Sequence, residues 1–289
     1  MIWLIGSGGM LGSEVAERLN GEKFPWVGTD REVDITDPAA LADFAAGKDI
    51  AWIVNCAAYT AVDKAEDETG LAARLNRDGP KHIGELATRS GARVIHISTD
   101  YVFDGLGARP YREDDPVNPA GVYGRTKAEG ETVLLAACPR SFILRTAWLY
   151  GRRGQNFVRT MLRLMKEKSE IGVVSDQRGS PTFAGDLADA IAALLRSGSD
   201  SYGIYHFTDE GETSWYEFAR EIQRLGRETG LLDHDCAVKA LRTDQYPTAA
   251  HRPAYSVLSK EKIKQVFGLE IPDWRESLER FIIGERNWI

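Results

Sequence analysis

The chain has 289 residues, 43% hydrophobic and 27% charged, a balance that suits one large soluble domain or two modest ones. A net charge of −7 and a pI near 5.4 argue against nucleic acid or an anionic membrane as the main partner, but leave room for an anionic small ligand in a local positive pocket. Cys56, Cys138 and Cys236 are odd in number, far apart and without a CxxC, so neither a disulfide framework nor a zinc site is expected.

Short apolar runs alternate with helical patterns through the first half. "MIWLIG" leads into "MLGSEVAERL", "WVGTD" into "PAALADFAA", and "IAWIVNCAA" into the long run "GLAARLNRDGPKHIGELATRSG". "RVIHIST" and "SFILRTAWLY" follow, the second preceded by the helix "GRTKAEGETVLLAAC". Each apolar run is four to eight residues and rich in Ile and Val, which predicts buried parallel strands of a doubly wound, Rossmann-type α/β sheet. From about Trp148 the rhythm loosens into "NFVRTMLRLMKEK", "IGVVSDQ", "GDLADAIAALLRSG", "GIYHFTD" and "TSWYEFAREIQRLG". The expected division is a dinucleotide-binding domain over 1–147 and a smaller, mainly substrate-binding lobe over 148–289, with part of 170–205 woven back into the first. Ligands of open α/β sheets sit at the carboxyl ends of strands, so the cleft is expected between the lobes. No apolar run is long enough to span a membrane, and a cytoplasmic location with reduced thiols is the expectation.

The stretch "LIGSGGMLGSEV" puts Gly6, Gly9 and Gly12 between the first strand and the first helix. The spacing is G-x-x-G-x-x-G rather than G-x-G-x-x-G, yet the mechanics carry over: a tight turn, a close backbone approach and a helix N-terminus that favours pyrophosphate. No Gly-Lys-Ser/Thr follows, so this is not a P-loop. Asp30 ends the second predicted strand, where a carboxylate accepts hydrogen bonds from a ribose 2′-hydroxyl and repels a 2′-phosphate. Arg31 beside it could do the opposite. The choice between NADH and NADPH stays open on these residues.

Thr99 closes a strand expected near the sheet centre, where its hydroxyl can reach a substrate carbonyl or a phenol. Tyr123 and Lys127 are set four residues apart on one helix face, about 5–6 Å apart at Cβ. Of the ten tyrosines only Tyr123 has a lysine at that spacing. A held ammonium favours phenolate, so Lys127 is expected to pull the Tyr123 pKa down and make it a proton carrier near neutral pH.

The ordered set of glycine loop, Thr99, Tyr123 and Lys127 resembles the extended short-chain dehydrogenase/reductase superfamily. The strings "DITDP", "NCAAYTAVDKAE", "ISTDYVFDG", "VYGRTKAEGE", "LRTAWLYG", "SDQRGSPTFAGDLA" and "HRPAYSVLSKEK" sharpen this, running nearly end to end in the order found in the dTDP-4-dehydrorhamnose reductase family. The resemblance implies reduction of the 4-keto group of a dTDP-linked 6-deoxy sugar with NADPH or NADH. It implies Tyr123 as proton donor, Lys127 as the ligand of the nicotinamide ribose, and Thr99 as the residue that tunes and orients. It further implies that Gly6, Gly9, Met10 and Leu11 lie against the pyrophosphate, that Asp30, Asp34 and Ile35 flank the adenosine, and that Ala57, Ala58, Tyr59 and Thr60 line the cofactor. Asp100, Tyr101, Val62 and Trp148 look like sugar-side residues, although packing suits Val62 better and Trp148 equally well. Some members of the family dimerise around magnesium held by glutamates, and Glu14 matches one such position; a homodimer and Mg²⁺ at its interface follow from the resemblance alone, and no metal ligand set is assigned.

Rival readings exist on the same scaffold. A 4,6-dehydratase resembling its own family would carry Asp-Glu after the threonine, whereas Tyr101 follows Asp100 here. A bifunctional epimerase-reductase would place a cysteine near Thr99, and Cys56 ends a different strand. A non-catalytic dinucleotide-binding subunit, like the regulatory subunit of methionine adenosyltransferase, has no need of the intact Thr99, Tyr123 and Lys127.

Overall fold

Parallel strands buried on both faces are mainly apolar, and the chain supplies six such short segments. In the computed structural model, which describes residues 1–286, these are β1 (Ile2–Ile5), β2 (Trp26–Thr29), β3 (Trp52–Asn55), β4 (Arg93–Thr99), β5 (Ser141–Thr146) and β6 (Gly203–His206). All pair in parallel, in the order β2-β1-β3-β4-β5-β6. Side chains alternate between two cores. Ile2, Leu4, Val54, Ile95, Phe142 and Leu144 face one way, and Trp3, Ile5, Ile53, Val94 and Ile143 the other.

Helices cover both faces. The flanking elements begin with α1 (Met10–Gly21), α2 (Pro38–Ala45), α3 (Gly79–Ser90) and α4 (Val122–Ala137). The chain then leaves the sheet through α5 (Phe157–Glu167), returns as α6 (Ala184–Ser197) and β6, and leaves again for α7 (Trp215–Glu228), α8 (Glu261–Phe267) and α9 (Trp274–Arg286). α1 and α6 bury Val15, Leu19, Leu187 and Ile191 against the first face, while α2, α3 and α4 bury Leu41, Ile83, Leu86 and Leu134 against the second. α5, α7 and α9 enclose a separate core of Tyr150, Met165, Phe218, Ile222 and Phe281. The segment Glu170–Val174 stays with that second core, paired in parallel with Ala237–Leu241, whereas α6 and β6 belong to the first sheet.

The long run expected before β4 as one helix is interrupted. It forms Thr69–Ala73, a π-helical turn at Arg74–Asp78 and then α3. A strap at residues 250–259 ties the lobes together: Tyr255 N–H donates to the Gly105 carbonyl, Ser256 N–H to Arg178, and Tyr111 N–H to Val257. Among the described residues no helix is long and apolar enough to cross a membrane.

The switch point between β1 and β3 is where neighbouring chains diverge, and there the glycine loop is pressed hardest. Gly6 sits at φ +78°, and a Cβ on Gly12 would lie 1.9 Å from the Gly6 carbonyl oxygen. Only hydrogen fits, because the obstacle is backbone and cannot swing aside. Gly12→Ala is therefore expected to cost about 1–3 kcal/mol, the usual range for overpacking, read as a lower urea midpoint. An unchanged midpoint would show that the loop has slack.

Candidate active site

The nucleotide end is built from backbone. α1 begins at Gly9 without a side-chain cap, so its first N–H groups point out of the loop as a ready anion seat. Met10 and Leu11 are its first residues; Leu11 is buried in the core while Met10 reaches toward Gly151. Asp30 lies at the end of β2 and accepts from Gly8 N–H at 2.9 Å and from Ser7 Oγ at 3.2 Å. Its carboxylate thus shapes the glycine loop. Asp34 Oδ1 accepts from Thr36 N–H in its own turn, and Ile35 is buried against Gly79. Beyond β3, Ala57 N–H donates to Asn55 Oδ1 at 3.1 Å, and both backbone groups of Tyr59 are held by Asn76. The Tyr59 phenol donates to Glu68, so this residue and its neighbours Ala58 and exposed Thr60 offer the cleft backbone more than ring. A cradle that tolerates no Cβ at Gly12 and an uncapped helix start beside a carboxylate fit a dinucleotide.

The chemical end is built on α4. Glu66 Oε1 accepts from Val122 N–H and fixes the helix start. A Cβ on Gly124 would meet the Tyr101 carbonyl oxygen at 2.0 Å, and one on Gly130 would meet that of Asn76 at 2.0 Å. α4 therefore lies directly on the turn after β4 and on the π-helical turn. The result brings the half-buried Tyr123 ring edge-on to Tyr101, 5.5 Å between centroids, with the Thr99 hydroxyl beside its phenol. Thr99 Oγ1 donates to Asp100 Oδ1 at 2.9 Å and accepts from Tyr101 N–H at 3.2 Å. Lys127 is buried, and its Nζ donates to the Ile97 carbonyl at 2.6 Å and stands 3.3 Å from His96 Nε2.

These surroundings correct one expectation. Lys127 does not pull the Tyr123 phenol down in this structure. Burial pushes the phenol well above its ordinary value, Asp100 and Tyr101 add to the rise, and only the Thr99 hydroxyl opposes it. The Lys127 amine is turned to Ile97 and His96 instead, and burial draws it down to about 8 against the pull of Glu131. Asp100 is also buried. Its Oδ2 has no hydrogen bond of normal geometry; the Ser256 hydroxyl, likewise without one, is still close enough to favour the charged form. Desolvation dominates and raises Asp100 to about 6.

The sugar-side set is partly gathered. Tyr101 accepts from Arg252 Nη1 at 2.9 Å, and the same guanidinium donates to Asp63 Oδ2 at 2.5 Å. Val62 is half-buried, one residue before that aspartate. Trp148 takes φ +48°, a strained value for a bulky residue, and stacks on Trp215 at 3.6 Å with its ring filling the space beside Gly179. Arg252, Asp63, Asn76 and Glu66 were not singled out from sequence. Asp63, Glu66 and Arg252 fall within the family-like strings without any signal of their roles, Asn76 lies outside those strings, and Arg252 is 151 residues from Tyr101. The magnesium position does not fit: Glu14 is buried and both its oxygens accept from Arg152, so a cation there would have to displace a guanidinium. Among the described residues no group of three His, Cys, Asp or Glu side chains is placed to hold a metal.

Comparison with known proteins agrees along the whole chain. The family model described as the RmlD substrate binding domain matches residues 1–286. The dTDP-4-dehydrorhamnose reductase of Aggregatibacter actinomycetemcomitans is 42% identical over 283 residues, covering 96% of each chain. A crystal structure of a dTDP-4-dehydrorhamnose reductase from Clostridium acetobutylicum superposes with a TM-score of 0.92 at 41% identity over 99% of both chains. One from Bacillus anthracis in complex with NADP gives 0.92 at 37% identity over 98% of both.

The raised Asp100 carboxyl has a consequence for stability. Relative to an ordinary aspartate near 3.9, its contribution is fully present below that value and is lost as pH rises through about 6. Asp100→Asn should therefore gain on wild type by about 2–3 kcal/mol between acidic and mildly alkaline urea titrations. An offset that stays constant with pH would mean that Asp100 ionises as freely folded as unfolded.

Proposed function

The chain belongs to the dTDP-4-dehydrorhamnose reductase family, and we propose that Tyr123 is its proton donor, with Thr99 orienting the phenol and the sugar carbonyl and Lys127 holding the nicotinamide ribose. As a family member it is an NAD(P)H-dependent oxidoreductase that reduces the 4-keto group of dTDP-4-dehydro-L-rhamnose to give dTDP-L-rhamnose. A bound reduced nicotinamide supplies the hydride. The glycine loop from Gly6 to Leu11, Asp30 and the backbone from Ala57 to Thr60 would hold that coenzyme, and Asp34 and Ile35 would flank its adenosine.

The observation that carries the reading is the placement of Tyr123. Reduction of a ketone builds negative charge on oxygen and ends with a proton there, so the donor must be loaded at working pH. Burial keeps the phenol protonated, which suits a donor better than a lowered pKa would. Thr99 lies beside it, and Tyr101, braced by Arg252, walls the sugar side. Asp100 gives the turn one carboxylate where a dehydratase would need two, and that carboxylate is buried against Thr99 rather than open to the cleft. Val62 and Trp148 frame the substrate side from the two lobes.

Tyr123→Phe is expected to lower kcat on the order of 10²-fold or more while NADPH binding, followed by fluorescence titration, stays near wild type. Reduction at close to the parental rate would make Tyr123 an ordinary helix residue. Both coenzymes are expected to serve within about tenfold of each other, because Asp30 favours the free hydroxyl and Arg31 offsets it. Asp30→Ala should weaken both, since the carboxylate also holds Gly8, and should weaken NADH more. A variant that shifts the preference toward NADH would reverse the assigned role of Asp30.

A further inference from the structure

Behind Lys127 lies a chain of buried polar groups whose direction is fixed at one end by backbone. Ala57 N–H can only donate, so the Asn55 atom facing it at 3.1 Å is Oδ1. That leaves Asn55 Nδ2 pointing at His96 Nδ1, 3.0 Å away, and an amide nitrogen can only donate. His96 Nδ1 must then accept. A neutral imidazole that accepts at Nδ1 carries its proton on Nε2, and Nε2 faces Lys127 Nζ at 3.3 Å. We propose that Asn55 and His96 form a directional relay that runs from the Ala57 N–H to Lys127 and presents the lysine with an N–H donor, an arrangement that favours the amine form of Lys127 in the free protein. An ammonium has no lone pair to accept that proton, whereas an amine accepts from His96 and donates to Ile97.

The surroundings agree. Asn55 and His96 are about 1% exposed, so water does not relieve a mismatched pair. Burial is the largest influence holding His96 well below its usual pKa, which keeps it neutral. The charged group that faces Lys127 from its own helix is Glu131, and that carboxylate is already committed to Arg145, at 2.9 and 2.7 Å, and to the Ser98 hydroxyl. The other buried histidine makes an internal contrast. His206 Nδ1 lies 3.1 Å from the Tyr111 carbonyl, which can only accept, and its Nε2 faces Arg145 Nη1 at 3.4 Å. His206 is thus the Nδ1–H tautomer, the reverse of His96.

The relay deepens the role given to Lys127 above and rests on that reading only for its effect on turnover. It makes His96 and Asn55 positioning residues rather than groups that touch substrate. Ring ¹⁵N NMR of the free protein, with His96 assigned through His96→Gln, tests the relay without reference to activity. Neutral His96 in the Nε2–H form and His206 in the Nδ1–H form are the expected result; His96 in the Nδ1–H form, or titrating near its ordinary value, would overturn the relay. Asn55→Asp supplies an acceptor on both sides, so it should flip His96, turn a lone pair toward Lys127 and favour the ammonium. The Lys127 titration, followed by ¹³Cε shifts, should then move up by about one pH unit, a tenfold change in the amine-to-ammonium ratio. The basic limb of kcat/KM should move with it. A Lys127 titration that stays in place in a folded variant with flipped His96 would overturn the claim on the lysine, and a titration that moves while the kcat/KM limb does not would sever the relay from turnover.

Discussion

The seating of one helix decides what this site can do. α4 carries both Tyr123 and Lys127, and it reaches the turn after β4 only because Gly124 and Gly130 present bare backbone to the carbonyls of Tyr101 and Asn76. Its lower end is pinned by the buried pair of Glu131 and Arg145, reinforced by the Ser98 hydroxyl from β4. Breaking such a pair by removing one partner leaves an uncompensated buried charge, which typically costs about 3–5 kcal/mol. The helix is therefore held at its start by Glu66, along its length by two close approaches and below by an ion pair. A phenol on so constrained a helix keeps its position relative to Thr99 without help from a ligand.

That same tight seating sets the electrostatics. Taking Tyr123, Asp100 and Lys127 out of water favours the neutral form of each, so the phenol and carboxyl rise and the amine falls. A reductase gains from this, because a protonated phenol is the form that can give a proton away. The strap at 250–259 extends the arrangement across the lobes. Through Arg252 it grips Tyr101 and Asp63, and through Ser256 it closes over Asp100, so the turn after β4 is tied to the strap that also bonds the Arg178 backbone.

Much of this was legible in the sequence. Five of the six strands announce themselves as short, mainly apolar runs that alternate with helical patterns, and the glycine spacing after β1 names the loop; β6 falls in the stretch where that rhythm loosens, because only Ile204 and Tyr205 of its four residues are apolar. Tyr123 and Lys127 are legible because helical periodicity puts them on one face. The direction of the phenol shift was not, since it depends on where Lys127 Nζ points, and that is set by the Ile97 carbonyl and His96 on another strand. Nor was the role of Arg252: its partners lie 151 and 189 residues away, a distance no local pattern encodes. Glu14 shows the opposite failure. A position carried over by motif turns out to be committed to Arg152, 138 residues further on. Local rules give elements and candidate groups, and the partners that tune them come from chain crossings.

The central claim is that burial on α4 keeps Tyr123 a loaded proton donor, and its most direct test is the titration of that phenol. With ¹³Cζ-tyrosine labelling and assignment by Tyr123→Phe, the Tyr123 resonance of the free protein should show no ionisation up to and beyond the ordinary tyrosine value of about 10. An ionisation near neutral pH would contradict the account, since it would mean that the phenol is poised by a nearby positive charge and that burial does not set its proton.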